Sequence, residues 1–113
     1  MMPSTSMNAN VKNLDLQIVR YVDDSFPGWV ASEFVDSDGA RHTLVDRWPI
    51  FTTDILDETS TYPRPGRAPC KVMSRYLDDR GREIARISIA RPVAMESTDG
   101  LSEFTVLSSQ LSD

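Results

Sequence analysis

Two copies of one turn signal, Asp36-Ser37-Asp38-Gly39 and Asp78-Asp79-Arg80-Gly81, each lie between runs rich in apolar and branched residues. An Asp at the first position accepts hydrogen bonds from the turn amides, and a Gly at the fourth takes the positive φ that completes the reversal. A chain that reverses twice in this way is committed to antiparallel hairpins. Trp29 to Val35 and Arg41 to Trp48 flank the first turn, and Cys70 to Leu77 and Glu83 to Ala90 flank the second. Upstream, Leu14, Leu16 and Ile18 alternate with Asp15 and Gln17, a half-buried strand that continues to Val22. Asp23-Asp24-Ser25 breaks it and Phe26-Pro27-Gly28 predicts a turn. The step of three from Ile84 to Ile87 interrupts the alternation and predicts a bulge near Ala85. Phe104 to Leu107 reads as a last short strand, with Leu111 beyond it still able to pack.

No stretch carries a helical stripe, so the reading is all-β: five or six antiparallel strands with little helix. A sheet this small covers its apolar face most simply by curling into a small barrel, closed or partly open; an open two-layer sandwich is the alternative. With 113 residues the chain suits one domain. We expect residues 1–10 to form a disordered leader and 11–113 the barrel. The Pro-containing connection at residues 49–69 is the exception to the hairpin pattern. Thr53 to Glu58 predicts one short helical turn, and Tyr62-Pro63-Arg64-Pro65-Gly66 is unsuited to helix or central strand. Unstructured connections of about 20 residues are uncommon in compact domains and often functional.

A single His and a single Cys exclude a Cys/His zinc site, an iron–sulfur site and an intramolecular disulfide. A net charge of −5 argues against default binding to nucleic acid or anionic membrane. The N-terminal residues lack a secretory pattern, and no apolar run approaches the roughly 20 residues of a membrane span. One unpaired thiol suits a reducing cytoplasm. The five glycines are dispersed, so no phosphate-cradling loop is present.

Asp23, Phe26, Pro27, Gly28 and Trp29 form a D-x-x-F-P-G-W type of stretch. Asp36 and Gly39, His42, Pro49, then Tyr62-Pro63-Arg64-Pro65-Gly66, Cys70, Arg91-Pro92 and Glu96-Ser97-Thr98 follow. In these features, from Leu14 to Leu111, the chain resembles a group of small bacterial proteins of similar length that share the D-x-x-F-P-G-W stretch. It departs at Val45-Asp46-Arg47-Trp48, where the group has a Glu-Lys-Val type of sequence. The resemblance implies a small β-barrel like domain 2 of translation elongation factors. It implies no activity, and such a barrel hosts many roles.

Residue chemistry favours a non-enzymatic protein without cofactor or metal. In an extended strand Asp46 lies about 13 Å from His42, too far to orient it as a general base. Cys70 reads as a buried small hydrophobe. Asp36-x-Asp38 lacks the remaining ligands of a calcium loop. The acidic residues cluster early, with four basic and ten acidic side chains through Tyr62, against eight basic and three acidic from Pro63 to Arg91. Lys71, Arg75, Arg86 and Arg91, with Tyr62 and Tyr76 nearby in sequence, make a basic hairpin (residues 70–91) the candidate for an RNA-binding accessory role. The favoured expectation is a protein-interaction module. Its recognition end comprises Asp23 to Trp29 and the loop from Trp48 to Arg67. Phe26, Trp29, Trp48, Phe51 and Tyr62 are the anchors, while Arg64 and Arg67, with Asp54, Asp57 and Glu58, set register. Phe51 and Ile50 have a competing role as a plug at one barrel end. The expected partner is a protein, with no membrane contact. The chain itself is expected to be a monomer, or a weak homodimer through an edge that Pro69 and the bulge guard only in part.

Overall fold

In the computed structural model, which describes residues 10–113, seven strands run in chain order: β1 (Val11–Asp23), β2 (Trp29–Val35), β3 (Arg41–Arg47), β4 (Arg64–Leu77), β5 (Glu83–Ser88), β6 (Glu103–Leu107) and β7 (Leu111–Ser112). They form one antiparallel sheet in the order β3-β2-β1-β4-β5-β6, with β7 added beside β1. The sheet curls into an open half-barrel, as the patterning predicts. The expectation for the leader falls on residues 1–9, which lie outside the described residues. Asn10, at the margin, accepts a hydrogen bond on its carbonyl from the Val72 N–H at 2.7 Å.

β1 is the central strand, paired on both sides at two places. Gln17 and Ile18 pair with β2 on one side and β4 on the other, while Asn13 and Leu14 lie between β7 and β4. Its alternating face therefore has a core to meet, and Leu14, Leu16 and Ile18 are buried. Val30, Phe34, Leu44, Cys70, Val72, Ile87, Phe104 and Val106 complete the strand core. The β1–β2 register shifts by one residue between Ile18 and Arg20 and again between Tyr21 and Asp23. Such extra residues bend a strand and increase its twist, which curls the sheet here. The outer strands β3 and β6 do not pair. Ser37 instead donates its N–H to the Thr105 carbonyl at 2.9 Å and its Oγ contacts Thr105 Oγ1 at 2.9 Å. Thr98 N–H reaches the Thr43 carbonyl at 2.9 Å. The mouth is bridged by a hairpin tip and a loop rather than by a ladder.

Both Asp-x-x-Gly turns form as predicted. Asp36 Oδ1 accepts from the Asp38 and Ala40 amides, and Asp78 Oδ1 from the Arg80 and Arg82 amides, all at 2.9 Å. The connection between them differs from expectation. Strand β4 begins at Arg64, so the unpaired segment is shorter than residues 49–69. Pro65 and Pro69 are tolerated because of their parity: the N–H of Arg67, between them, points away from β1 to the Phe51 carbonyl at 2.9 Å. A proline at the same parity lacks a donor where the ladder needs none. The helical turn expected at Thr53–Glu58 is absent; a 3-10 turn forms instead at Trp48–Ile50, led by Pro49. Downstream, Leu56 is drawn into the core while Thr52 and Asp57 cap local turn amides, which competes with helix formation. The expected bulge near Ala85 is also misplaced: the extra residue is Met73 on β4, between the Val72–Ile87 and Ser74–Arg86 pairs. The uneven spacing on β5 arises because both its faces are largely covered, Ile84 and Ser88 on one and Ala85 and Ile87 on the other.

Phe51 is 2% exposed and belongs to the core cluster. Phe51→Ala is expected to cost about 3–5 kcal/mol in urea unfolding, the range for deleting a buried aromatic. Cys70 is buried, and desolvation pushes its thiol up to about 11. It should react with a disulfide reagent at pH 8 only after denaturant is added.

Candidate functional site

The predicted recognition end is assembled by one tryptophan. Trp48 opens the connection to β4, and its Nε1–H donates to the Pro27 carbonyl at 2.8 Å while its backbone N–H donates to the Gly28 carbonyl at 3.1 Å. The Phe26–Gly28 turn and the Trp48–Pro63 connection, far apart in sequence, are thus fastened together. Gly28 carries φ +118°, and a Cβ there would lie 2.5 Å from the Tyr21 hydroxyl and 3.2 Å from Trp48 Cδ1. Only glycine meets both the conformation and the space. Burial raises the Tyr21 hydroxyl above its ordinary value, and the hydrogen bond to Asp24 adds to this, with smaller influences from Glu58 and Tyr62. Tyr21 therefore lies between the turn and the connection, a role the alternating pattern of β1 does not announce.

Around this junction the aromatic candidates divide. Phe26 is 96% exposed at the tip of the turn. Trp48 and Tyr62 are half-buried and pack on the core; the Tyr62 hydroxyl donates to the Asp57 carbonyl at 2.9 Å. Trp29 is half-buried with the Arg47 guanidinium 5.9 Å above its ring. Phe51 is a correction: it is a core plug rather than an exposed anchor, its side chain packed into the core cluster where burial of an aromatic ring is favoured. Ile55, absent from the sequence candidates, is 83% exposed on the same connection. Its neighbour Leu56 turns inward, so the adjacent pair was divided between solvent and core by the path of the loop.

The polar candidates form a rim. Arg64 pairs with Asp54 at 3.0 Å, while Asp23, Asp24, Asp57 and Glu58 are exposed. Asp57 is held below the ordinary carboxylate range by hydrogen bonds from Thr59, and Asp23 by the Ser25 amide. Arg67 lies on the opposite side of the connection, beside a cleft of about 910 Å³. Ile50, Phe51 and Pro63 wall that cleft, and Gln17, Glu33 and Arg67 line it across the outer face of β2, β1 and β4. The structure thus brings Phe26, Trp48, Tyr62 and Arg64 to one end, and leaves Arg67 on the cleft side.

The basic hairpin is partly neutralised by its surroundings. Arg82 pairs with Asp78 at 2.7 Å and Arg86 with Glu103 at 2.9 Å. His42 also finds a partner that strand spacing concealed. Its Nε2 lies 2.7 Å from Asp36 Oδ2, and its ring packs between Phe34 and Phe104. Its Nδ1 is buried without a hydrogen-bond partner among the described residues. The carboxylate that meets His42 comes from the hairpin turn, where the chain folds back, and Asp46 instead accepts from Arg47.

Burial disfavours ionisation of Asp36, but hydrogen bonds from His42, Ala40 and Asp38 outweigh it and set the carboxyl below its ordinary 3.8. A depressed folded-state value adds stability above the unfolded value, lost as pH falls through the folded one. Asp36→Asn should therefore unfold at lower denaturant than the wild type at pH 7, by about 1–2 kcal/mol. The two should converge as the pH is lowered from about 5 toward 2 in parallel denaturation series.

No family model, curated protein or solved structure matches this chain.

Proposed function

We propose that the protein is a non-enzymatic interaction module that recognises another protein with the Phe26 turn and the Trp48–Pro63 connection. The observation that carries this reading is the exposure of Phe26 and Ile55 on two connections that Trp48 ties together. A large apolar side chain held out on a fastened loop costs solvation in the free protein and releases that cost when a partner covers it. Half-buried Trp48 and Tyr62 behind it form the kind of rigid aromatic base that concentrates binding energy at an interface centre. Arg47 and Arg64 are each paired with a carboxylate, while Asp23, Asp24, Asp57 and Glu58 leave the rim acidic in balance, so the complementary partner presents an apolar pocket bordered by basic side chains.

The likeness to small bacterial D-x-x-F-P-G-W proteins, and through them to the elongation-factor barrel, belongs to this proposal: an open curled sheet is compatible with it. So does a cytoplasmic setting, which suits a lone buried thiol. No helix among the described residues is long and apolar enough to cross a membrane.

The test compares capture from cell lysate by the wild-type protein and by the double variant Phe26→Ser/Ile55→Ser, each with and without nuclease and at two salt concentrations. Both side chains are on the surface, so the variant should keep the wild-type Tm. The expected result is a discrete protein that survives nuclease and is lost, by at least about tenfold, from the variant, as for a central anchor worth over 1 kcal/mol. Equal capture by the two proteins defeats the reading. Recovery of only nuclease-sensitive, salt-sensitive material transfers it to the basic hairpin.

A further inference from the structure

The second hairpin carries a stretch of sheet edge with no neighbour among the described residues. β1 ends its pairing with β4 at Val11–Lys71, and one more bond joins Val72 to Asn10. Beyond that point β4 continues for five residues: the bulged Met73, then Ser74 to Leu77, which pair with β5 on one side only. All five are exposed, including Met73 at 45%, Tyr76 at 48% and Leu77 at 70%. A strand whose free edge combines open backbone groups with apolar side chains is a template for adding another strand.

The charge along this edge selects what can be added. The β4 segment from Lys71 to Leu77 contains Lys71 and Arg75 and no acidic residue, and neither cation is in an ion pair among the described residues. Arg75 is steadied by a hydrogen bond to Ser108 Oγ at 2.9 Å, which keeps the guanidinium over one face of the strand. A second copy of this chain is a poor fit. A two-fold antiparallel pairing centred on Met73–Leu77 sets Arg75 against its counterpart, and like charges facing across a ladder are destabilising. The net charge of the protein adds repulsion between copies.

We propose that the Met73–Leu77 edge accepts an extended acidic segment of a partner protein, which adds as a strand beside β4. Backbone groups of the incoming strand pair with those of β4. Its acidic side chains meet Arg75 on one face of the sheet, and its apolar side chains cover Tyr76 on the other. This surface is separate from the Phe26 end and stands whether or not that end binds a partner.

The probe is a synthetic heptapeptide alternating valine and glutamate, titrated into the full ¹⁵N-labelled chain and followed by amide shifts and hydrogen exchange. Expected are shifts and slowed exchange confined to Met73–Leu77, weakened by salt, and none with the counterpart alternating valine and lysine. Arg75→Glu should weaken the glutamate peptide roughly fivefold and favour the lysine one, the scale of an opposed charge pair. Arg75→Gln should lie between, with amide shifts outside the hairpin unchanged to show that the fold persists. Absence of response at Met73–Leu77 at millimolar peptide overturns the proposal. So does concentration-dependent self-protection of these amides, which gives the edge to a second copy. Polyuridylate acting on the same amides more strongly than the glutamate peptide gives it to nucleic acid, and binding only by a chain shortened to begin at Asn10 gives it to the chain's own first nine residues.

Discussion

The fold depends on the pairing of β1 with three other strands. β2 and β4 flank its middle, and β7 takes the position that β2 vacates nearer its start. With Leu14 and Ile18 paired on both sides and Leu16 paired with β4, the Leu14-Leu16-Ile18 face is buried with most of its backbone groups in ladders. Each Asp-x-x-Gly hairpin then attaches to β1 through one of its own strands. The register shifts along β1 turn this ladder from a flat sheet into a curled one. Interior pairing supplies the core, and the bulges supply the shape that lets opposite ends approach.

Closure follows from the first hairpin's tip. Asp36 holds the turn through two amides and fixes His42 with its other oxygen. The ring of His42 leans on Phe34 and Phe104, and Phe34 meets Phe104 edge to face at 5.1 Å. Ser37 then bonds Thr105 across the gap. One carboxylate therefore links the local reversal to the long-range contact with β6. The sole histidine serves this junction, with its Nε2 on Asp36 and its ring on Phe34 and Phe104. The same economy appears at the other end, where Trp48 joins two loops through a ring N–H and a backbone N–H. Fastening the loops there leaves Phe26 and Ile55 outside, because the core volume beneath is filled by Phe51 and Leu56.

Legibility was uneven in a physically consistent way. Twin turns, alternating strands, the buried thiol and the plug role of Phe51 all rest on local rules of periodicity, turn chemistry and hydrophobicity. A third reversal was missed: Ser97-Thr98-Asp99-Gly100 repeats the device with serine for aspartate, its Oγ accepting from the Leu101 amide at 3.1 Å. The signal was present as Ser-x-x-Gly, but the preceding segment lacks a strand pattern to mark it as a hairpin. The prolines misled for the opposite reason. Pro65 and Pro69 predict a loop only if the neighbouring edge must be paired, and here it need not be. Among the residues gathered at the candidate end, Phe26, Trp48 and Tyr62 stand out in the sequence as aromatics in turns, whereas Tyr21 and Ile55 do not, since their positions arise from which loop lies above them.

By itself the sequence determined the all-β class, the positions of the two principal reversals and the apolar face of β1, because these follow from bond geometry and from the transfer of apolar side chains out of water. Tertiary structure alone decided which strand became central, where the extra residues fell, which carboxylate met His42, and which of the adjacent Ile55 and Leu56 faced solvent. Those outcomes depend on pairings between residues far apart in the chain. A local pattern states that a side chain needs a partner, while the curled sheet decides which partner comes within reach.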